Sequence, residues 1–270
     1  FTMAKAALAL KLDGVKPRII SNHSLIIKKG RHPIVEELLK EKGLKFKPIS
    51  VELKRGVTCI TGANMGGKTV SLKLIGLLTA MAQHGLLVPA EEMILGLNNF
   101  IRTSIEDAQS LAKGLSAFGG EIRAVQQAIK ISDNRGLILI DELAKGTNPE
   151  EGYAISKAIV EYLLDKNSIT VITTHYDNVA NMEGVVHLQV VGLSHADFQE
   201  LEKKLIYSQK DPIELINSYM DYGLIEVNQD AQVPKDAINI ARIMGLDLEI
   251  IELAEENLKG KAGYSGETRS

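Results

Sequence analysis

The feature that most constrains the fold of this chain is a glycine-rich loop placed between two apolar segments. Residues 62–69 read Gly-Ala-Asn-Met-Gly-Gly-Lys-Thr. The run 57–61 before the loop predicts a buried strand, and apolar residues at intervals of three after it predict an amphipathic helix over 67–84. A triphosphate needs many converging backbone N–H donors, which a glycine-rich turn entering a helix presents without side-chain clashes. The sequence therefore predicts a phosphate-binding loop, and an ordinary glycine-rich turn is the alternative.

Individual residues of this loop have separate predicted roles in holding ATP and Mg²⁺. Lys68 would place its ammonium between the outer phosphates, and we count it among the catalytic residues. The hydroxyl of Thr69 would ligate Mg²⁺, because that ion prefers hard oxygen donors. The predicted nucleotide-binding residues of the loop are Gly62, Ala63, Asn64, Met65, Gly66, Gly67, Lys68, Thr69 and Val70.

Two acidic residues follow a second apolar run, 137–140, which is continuous and predicts a buried parallel strand. Nucleotide hydrolysis requires Mg²⁺ to be held from the far side and an attacking water to be oriented. Asp141 would hold the metal through water, and Glu142 would act as the general base. The alternative is that both acids only cap the strand or begin the next helix.

A histidine follows the next predicted strand, 169–173, after Thr174. Because the carboxyl ends of parallel strands meet at one edge of a sheet, His175 would lie within reach of the γ-phosphate or of the base. We therefore count His175 among the catalytic candidates. A histidine that makes only structural hydrogen bonds is the alternative.

Strands alternate with helical segments along the first 200 residues, where further helices are predicted over 115–132 and 150–164. This alternation predicts an α/β fold with a mostly parallel sheet and right-handed crossovers. Beyond residue 200, a helix over 234–245 stopped by glycine and a second over 248–258 predict a helical hairpin outside the sheet. The tail from Lys259 is expected to fray.

Composition narrows the classes of function. With 270 residues, of which 45% are hydrophobic, the chain can bury a sizeable core. The net charge of −3 and the even spread of 31 basic and 34 acidic side chains do not indicate the basic face of a nucleic-acid binder, so we expect no DNA affinity from the chain alone. The single cysteine, Cys59, excludes disulfides within the chain and favours a reducing, cytoplasmic compartment. No apolar run approaches the ~20 residues that cross a bilayer, so we expect no membrane contact.

The loop sequence resembles that of one protein family. The dipeptide Asn64-Met65 before the paired glycines is far more restrictive than a generic phosphate-binding loop, and it resembles the MutS family of mismatch-repair ATPases. Further motifs occur in the order which that family uses: Arg31–Pro33, Val88–Ala90, Leu115–Phe118 followed by Glu121, Asp141–Thr147 and Thr173–His175. Val70 in place of serine, together with residues 141–152, is closest to the MutS2-like branch. The resemblance covers roughly residues 3–200 and the final hairpin.

The resemblance implies a P-loop NTPase with an ABC-like ATPase sheet that works as a homodimer. Each ATP site would be composite and completed by the partner chain, with Ser116 reaching the partner's γ-phosphate and residues 145–148 lining the interface. The family also clamps adenine between a histidine and an aromatic residue. His175 matches the first position, and Phe46 is our candidate for the second, where an ordinary core phenylalanine is the alternative.

The same resemblance divides the chain into three parts. Residues 1–22 would be the remnant of a strut helix from an upstream lever region, 23–200 the P-loop ATPase domain, and 201–270 a C-terminal segment whose hairpin serves dimerisation. These 270 residues contain no counterpart of the family's DNA-reading, connector and clamp domains, or of a small DNA-cleaving domain. We therefore expect DNA contact only through domains outside this chain. Ala117 and Gly119-Gly120 depart from the hydroxyl and larger residues of the family.

Two functions from different classes follow from this resemblance. The first is a nucleotide-driven dimer switch in DNA mismatch repair or recombination control. The alternative is a MutS-like ATPase that binds no DNA and remodels or reactivates a protein partner, such as a cobalamin-dependent aminomutase. A degenerate module used only for dimerisation is a third hypothesis. The retention of Lys68, Thr69 and both acids argues against lost catalysis.

Overall fold

The computed structural model of the protein describes residues 2–62, 67–105, 115–144, 146–193, 196–207, 212–227 and 236–264. Its helices are α1 Thr2–Leu12, α2 Pro33–Glu41, α3 Gly67–Gln83, α4 Leu115–Ile129, α5 Pro149–Leu164, α6 Asp177–Ala180, α7 Phe198–Tyr207, α8 Pro212–Tyr219, α9 Asp236–Ile243 and α10 Leu248–Tyr264. Its strands are β1 Arg18–Ile20, β2 Ser24–Gly30, β3 Ile49–Lys54, β4 Gly56–Thr61, β5 Glu92–Gly96, β6 Phe100–Ser104, β7 Gly136–Ile140, β8 Ile169–Thr173, β9 Val186–Gly192 and β10 Asp221–Glu226. The fold is therefore mixed α/β, as the sequence predicts.

The larger of two sheets is mostly parallel and positions the candidate site. Its strand order is β10-β9-β4-β8-β7-β6, and every neighbouring pair is parallel except β10 with β9. Strands β4, β7 and β8 are buried at every residue. A strand that packs on both faces is apolar throughout, so the continuous apolar runs in the sequence correspond to the central strands.

The second sheet, with strand order β1-β5-β2-β3, is a difference from the single sheet that the sequence predicts. Strand β1 is parallel to β5, whereas β2 is antiparallel to both β5 and β3. Strand β3 alternates buried and exposed residues, which is typical of a strand with one face on the core. That alternation indicates a strand, but it carries no information about which sheet the strand joins.

Helix α3 directly follows the glycine-rich loop and packs against both sheets. The predicted apolar stripe is buried: Leu72, Ile75 and Leu78 are 0% exposed and Met81 is 7% exposed. These residues join one core cluster with Leu139 of β7, whereas the adjacent Ile140 belongs to a second cluster with residues of α4 and α5. Because successive side chains of a strand point to opposite faces, the two clusters lie on opposite sides of the larger sheet.

Two helices lie at the C-terminal end of the described chain, where the sequence predicts a helical pair. Gly245, with φ +83°, follows α9, and Asp247 Oδ1 caps α10 by accepting from the Glu249 amide at 2.9 Å. Helix α10 extends to Tyr264, six residues beyond the predicted end at Leu258, and the expected fraying from Lys259 stays a prediction. Helix α4 ends at Ile129, before the predicted Ser132, whose hydroxyl donates to the Ile129 carbonyl at 2.8 Å.

Across the described ranges, we find no helix long and apolar enough to span a membrane.

Candidate nucleotide-binding site

Three neighbouring parallel strands end at the candidate site. Strand β4 runs into Gly62, β7 into Asp141 and β8 into Thr174 and His175. The pairing of β4 with β8 and of β8 with β7 places these ends side by side. Open α/β sheets bind ligands outside the carboxyl ends of their strands, and α3 begins at this edge with Gly67.

The ammonium of Lys68 lies at the centre of this site, and the residue is 2% exposed. Its Nζ donates to the Gly62 carbonyl at 2.9 Å, and lies 3.1 Å from Nδ1 of His175 and 3.9 Å from Oε1 of Glu142. Nε2 of His175 lies 2.8 Å from the same Glu142 oxygen. A neutral imidazole with its hydrogen on Nε2 satisfies both partners, because Nε2–H donates to the carboxylate and Nδ1 accepts from the ammonium. The three residues predicted to be catalytic are therefore brought together.

Asp141 is held by two threonine hydroxyls on neighbouring elements. Thr69 Oγ1, in the first turn of α3, donates to Asp141 Oδ2 at 2.8 Å. Thr173 Oγ1, at the end of β8, donates to Asp141 Oδ1 at 2.6 Å and accepts from the Glu142 amide at 2.8 Å. The two predicted metal-binding residues, Thr69 and Asp141, are thus in direct contact. Thr173 therefore contacts both acidic residues, through the side chain of Asp141 and the backbone amide of Glu142.

The backbone after β7 adopts an uncommon conformation. Glu142 has φ +49° and Ala144 has φ +60°, in the left-handed region that non-glycine residues rarely occupy. The Ala144 amide donates to Oε1 of Glu121 on α4 at 2.6 Å. Such strain persists where surrounding contacts over-determine the conformation, and it is concentrated at functional sites.

Two glycines of the predicted loop lie against β9. Gly62 has φ +123°, and a Cβ there would lie 3.3 Å from the Val190 backbone oxygen. A Cβ on Gly67 would lie 2.5 Å from Val190 Cγ1, which is closer than carbon atoms approach without strain. The close packing of the loop on β9 therefore requires glycine at both positions.

Some predicted site residues lie outside this cluster or outside the described residues. Ala63, Asn64, Met65 and Gly66 fall outside the described ranges, as does Lys145. The backbone of Ser116 lies in the first turn of α4, and nothing is described of its side chain. Val70 lies in α3 and is partly buried against the core. These positions give no test of the predicted contacts with nucleotide.

Phe46 is placed in the core. It is 8% exposed, and its ring is stacked on that of Tyr222 in β10, with centroids 5.7 Å apart and 10° between the ring planes. The alternative of a core phenylalanine thus describes the packing of Phe46 in this structure. Its predicted contact with adenine stays a prediction.

Comparison with known proteins identifies the family. The family model described as MutS domain V matches residues 58–249. The chain belongs to the MutS family. It is 36% identical to Endonuclease MutS2 of Halothermothrix orenii over 65% of the chain, 32% identical to DNA mismatch repair protein Msh3 of Homo sapiens over 97%, and 35% identical to Endonuclease MutS2 of Carboxydothermus hydrogenoformans over 95%. These matches cover 22%, 23% and 30% of the respective relatives, so the chain spans less than a third of each.

The MutS resemblance drawn from the loop and the flanking motifs is confirmed, and MutS2 proteins are among the relatives. MutS domain V is a P-loop ATPase domain. The matched residues begin inside β4 and end inside α10, so they include the glycine-rich loop and every strand end of the candidate site.

Several residues of this MutS domain that shape the site were not predicted from the sequence. Thr173 and Glu121 lie within motifs that were recognised, but their hydrogen bonds to the acidic segment depend on tertiary contacts. His187 of β9 is 5% exposed, with Nε2 2.7 Å from Thr61 Oγ1 and Nδ1 2.8 Å from Asn181 Oδ1. Burial lowers the pKa of His187 below 6.5, against the opposing charge of Asp177. His187 therefore supports the last residue of β4 before the loop.

Proposed function

We propose that this MutS domain binds ATP together with Mg²⁺ and hydrolyses it to ADP and phosphate. The observation that carries the proposal is the direct contact of Lys68, His175 and Glu142 at the ends of three parallel strands. A buried ammonium beside a helix N-terminus suits anionic phosphates, because both supply positive charge and N–H donors. The loop residues around Gly62 and Gly67 would present their amides to the same phosphates.

The side chains around Asp141 fit Mg²⁺. The Thr69 hydroxyl and the Asp141 carboxylate are hard oxygen donors, and Mg²⁺ takes few protein ligands when phosphate oxygens and water supply the others. The described residues contain no group of three or more His, Cys, Asp or Glu that could hold a metal ion. Thr69 would bind the ion directly and Asp141 through water. The bound ion would neutralise charge on the phosphate oxygens.

Each remaining side chain of the cluster has a chemical role in this proposal. Glu142 orients the attacking water and accepts its proton, as a general base. His175 donates to the Glu142 carboxylate and so fixes its orientation. Lys68 binds the outer phosphates and stabilises the charge that develops on them during transfer. The adenine would lie between His175 and Phe46, which remains a prediction from the family resemblance.

We propose further that hydrolysis drives a dimer switch in an ABC-like arrangement, with Ser116 completing the partner's ATP site. ATP and ADP can shift the equilibrium between the open and closed states of such a dimer only if they bind the two states with different affinities. Helices α9 and α10 contact each other through Arg242 and Glu255, whose side chains approach to 2.6 Å, and would form the dimerisation hairpin. Leu248 and Leu253 of α10 are 66% and 54% exposed, which supports a docking role.

The names of the relatives favour DNA repair over the alternative of a protein-remodelling ATPase. The relatives include proteins named Endonuclease MutS2 and DNA mismatch repair protein Msh3. We place this chain in the cytoplasm, with DNA contact made through domains outside it. With its net charge of −3, we expect the chain itself not to bind duplex DNA. A titration across a salt series tests this, and binding that weakens with salt would contradict it.

The central test of the proposal is Glu142→Gln. The amide is nearly the same shape as the carboxylate but cannot accept the proton from water, and general-base catalysis contributes about 10²–10⁴-fold. We expect ATP turnover to fall by about that factor, ATP affinity to be retained by calorimetry, and an ATP-bound dimer to accumulate in sedimentation experiments. Turnover at the wild-type rate would refute the role of Glu142.

Two lysine variants on α3 complete this experiment. Lys68→Ala removes the charged donor to phosphate, and a hydrogen bond to a charged group contributes about 1.5–3 kcal/mol, or roughly 10–100-fold in affinity. Lys73→Ala removes an exposed charge from the same helix and is the matched control. We expect only Lys68→Ala to lose nucleotide affinity. Equal affinity in both variants would count against the phosphate-binding loop.

A further inference from the structure

The segment Glu142–Ala144 joins the proposed general base to the body of the domain. Both of its end residues have positive φ, at +49° and +60°, although neither is glycine. Unrestrained, such residues return to right-handed or extended conformations, because the left-handed region crowds Cβ against the backbone. The Glu142 side chain branches from one of these two residues. Its direction therefore depends on the contacts that hold the backbone of the segment in place.

Two hydrogen bonds from different elements hold this backbone. At the first end, Thr173 Oγ1 of β8 accepts from the Glu142 amide at 2.8 Å. At the second end, Glu121 Oε1 of α4 accepts from the Ala144 amide at 2.6 Å. Leu143 and Ala144 are 2% and 1% exposed, so water has little access to replace a lost partner. A buried amide without an acceptor is costly, and a charged acceptor forms the stronger type of hydrogen bond.

Helix α4 touches the segment beyond Ala144 as well. A Cβ on Gly146 would lie 3.4 Å from Phe118 Cβ. Phe118 also packs against the cluster that contains Leu143 and Ala144. The contact of Glu121 with Ala144 is thus one of several contacts between α4 and this segment. A shift of α4 would move these contacts and, with them, the backbone that carries Glu142.

We propose that Glu121 is a positioning residue, whose carboxylate holds the Glu142–Ala144 backbone in the strained conformation that directs Glu142 at the reacting phosphate. The inference rests on the proposed ATPase function and adds a means of regulation to it. Ser116 lies in the first turn of the same helix. If a dimer closes against the start of α4, movement of this helix would therefore change the position of Glu142 through Glu121.

The test compares Glu121→Ala with Glu121→Gln, which keeps an oxygen acceptor for the Ala144 amide. Because a displacement of about 1 Å costs roughly 100-fold in turnover, we expect Glu121→Ala to lower kcat by tenfold to hundredfold. We expect its ATP affinity, measured by calorimetry, to stay within twofold of wild type, and Glu121→Gln to recover most of the turnover. Gln126→Ala, an exposed change on the same helix, is the control. Unchanged kcat in Glu121→Ala, or an equal loss of ATP affinity, would overturn the inference.

Hydrogen exchange separates failure of this inference from failure of the ATPase proposal. The Ala144 amide should exchange faster in Glu121→Ala than in wild type and Glu121→Gln, with no nucleotide present. If wild type lacks turnover but the exchange difference appears, the ATPase proposal fails and the holding contact stands. If exchange of peptides covering residues 142–144 is the same in all three proteins, Glu121 does not hold the segment and the inference is wrong.

Discussion

The tight contact of α3 with β9 makes Gly67→Ala a sharp test of how the phosphate-binding loop is positioned. A Cβ on Gly67 would lie 2.5 Å from Val190 Cγ1. Apolar carbons pack at about 3.5–4.0 Å, so roughly 1 Å of extra separation is needed. Val190 is 3% exposed and branched at Cβ, so its side chain has few other positions. The strain must therefore move the start of α3 or the strand itself.

The expected magnitude follows from this geometry. Overpacking a close-packed site costs about 1–3 kcal/mol. For a domain of this size each kcal/mol lowers Tm by about 2–4 °C, so we expect Gly67→Ala to melt several degrees lower. A displacement of about 1 Å at the first turn of α3 should also reduce ATP turnover by roughly 100-fold. Thermal denaturation and steady-state turnover measure the two effects separately.

Two further variants make the experiment decisive. Val190→Ala removes Cγ1, so the double variant with Gly67→Ala should recover part of the lost stability, with a coupling energy of about 1–2 kcal/mol in a double-mutant cycle. Among the described residues, a Cβ on Gly76 of the same helix would meet Cδ1 of Leu139, at 2.7 Å, which is the end of a more flexible side chain than that of Val190. We expect a smaller loss for Gly76→Ala. Wild-type stability and turnover in Gly67→Ala, or no coupling to Val190, would refute the proposed packing of the loop.

Two other predictions concern stability. Gly119 lies within α4, and a Cβ there would have no atom of the described residues within 4 Å, so Gly119→Ala should raise the free energy of unfolding by up to about 1 kcal/mol, measured by urea denaturation. A loss of stability would indicate that this face of α4 is not open. Burial lowers the pKa of His32 and His187 from 6.5. Just below pH 6.5, these two histidines therefore bind protons more readily in the unfolded chain than in the folded protein. Their contribution is complete above 6.5 and is lost as the pH falls from 6.5 through the lowered folded values. Urea denaturation one pH unit above and below 6.5 should show this loss, and His187→Gln should reduce its size. If the free energy of unfolding of that variant changes with pH as much as that of wild type, the assignment to His187 is wrong.

The central strands were predictable because burial on both faces leaves an unmistakable apolar run, as in β7 and β8. The smaller sheet was not predicted as a unit. Its strand β1 has only three residues, Arg18–Ile20, and β2 carries the charged pair Lys28-Lys29 before its last residue, so local patterns there are weak. Which strands pair is decided by contacts distant in sequence, which periodicity does not encode.

The candidate site shows the same division between local and tertiary information. The glycine-rich loop and the acids after β7 were predictable because each motif is continuous in sequence. Glu121 and His187 act through partners 23 and 126 residues away, at Ala144 and Thr61, so no local pattern marks their roles. The stacking of Phe46 on Tyr222 was likewise inaccessible, because β10 lies far along the chain.

The one cysteine of the chain provides a built-in probe of how often the central strand opens. Cys59 lies in β4 and is 0% exposed, and burial raises the pKa of its thiol to about 12. Alkylating reagents attack the thiolate, so the folded protein should be almost inert to them at neutral pH. Each labelling event then records a transient separation of β4 from its neighbours. The rate at which iodoacetamide modifies the chain, followed by mass spectrometry with and without nucleotide, would report directly on the rigidity of the strand that feeds the loop.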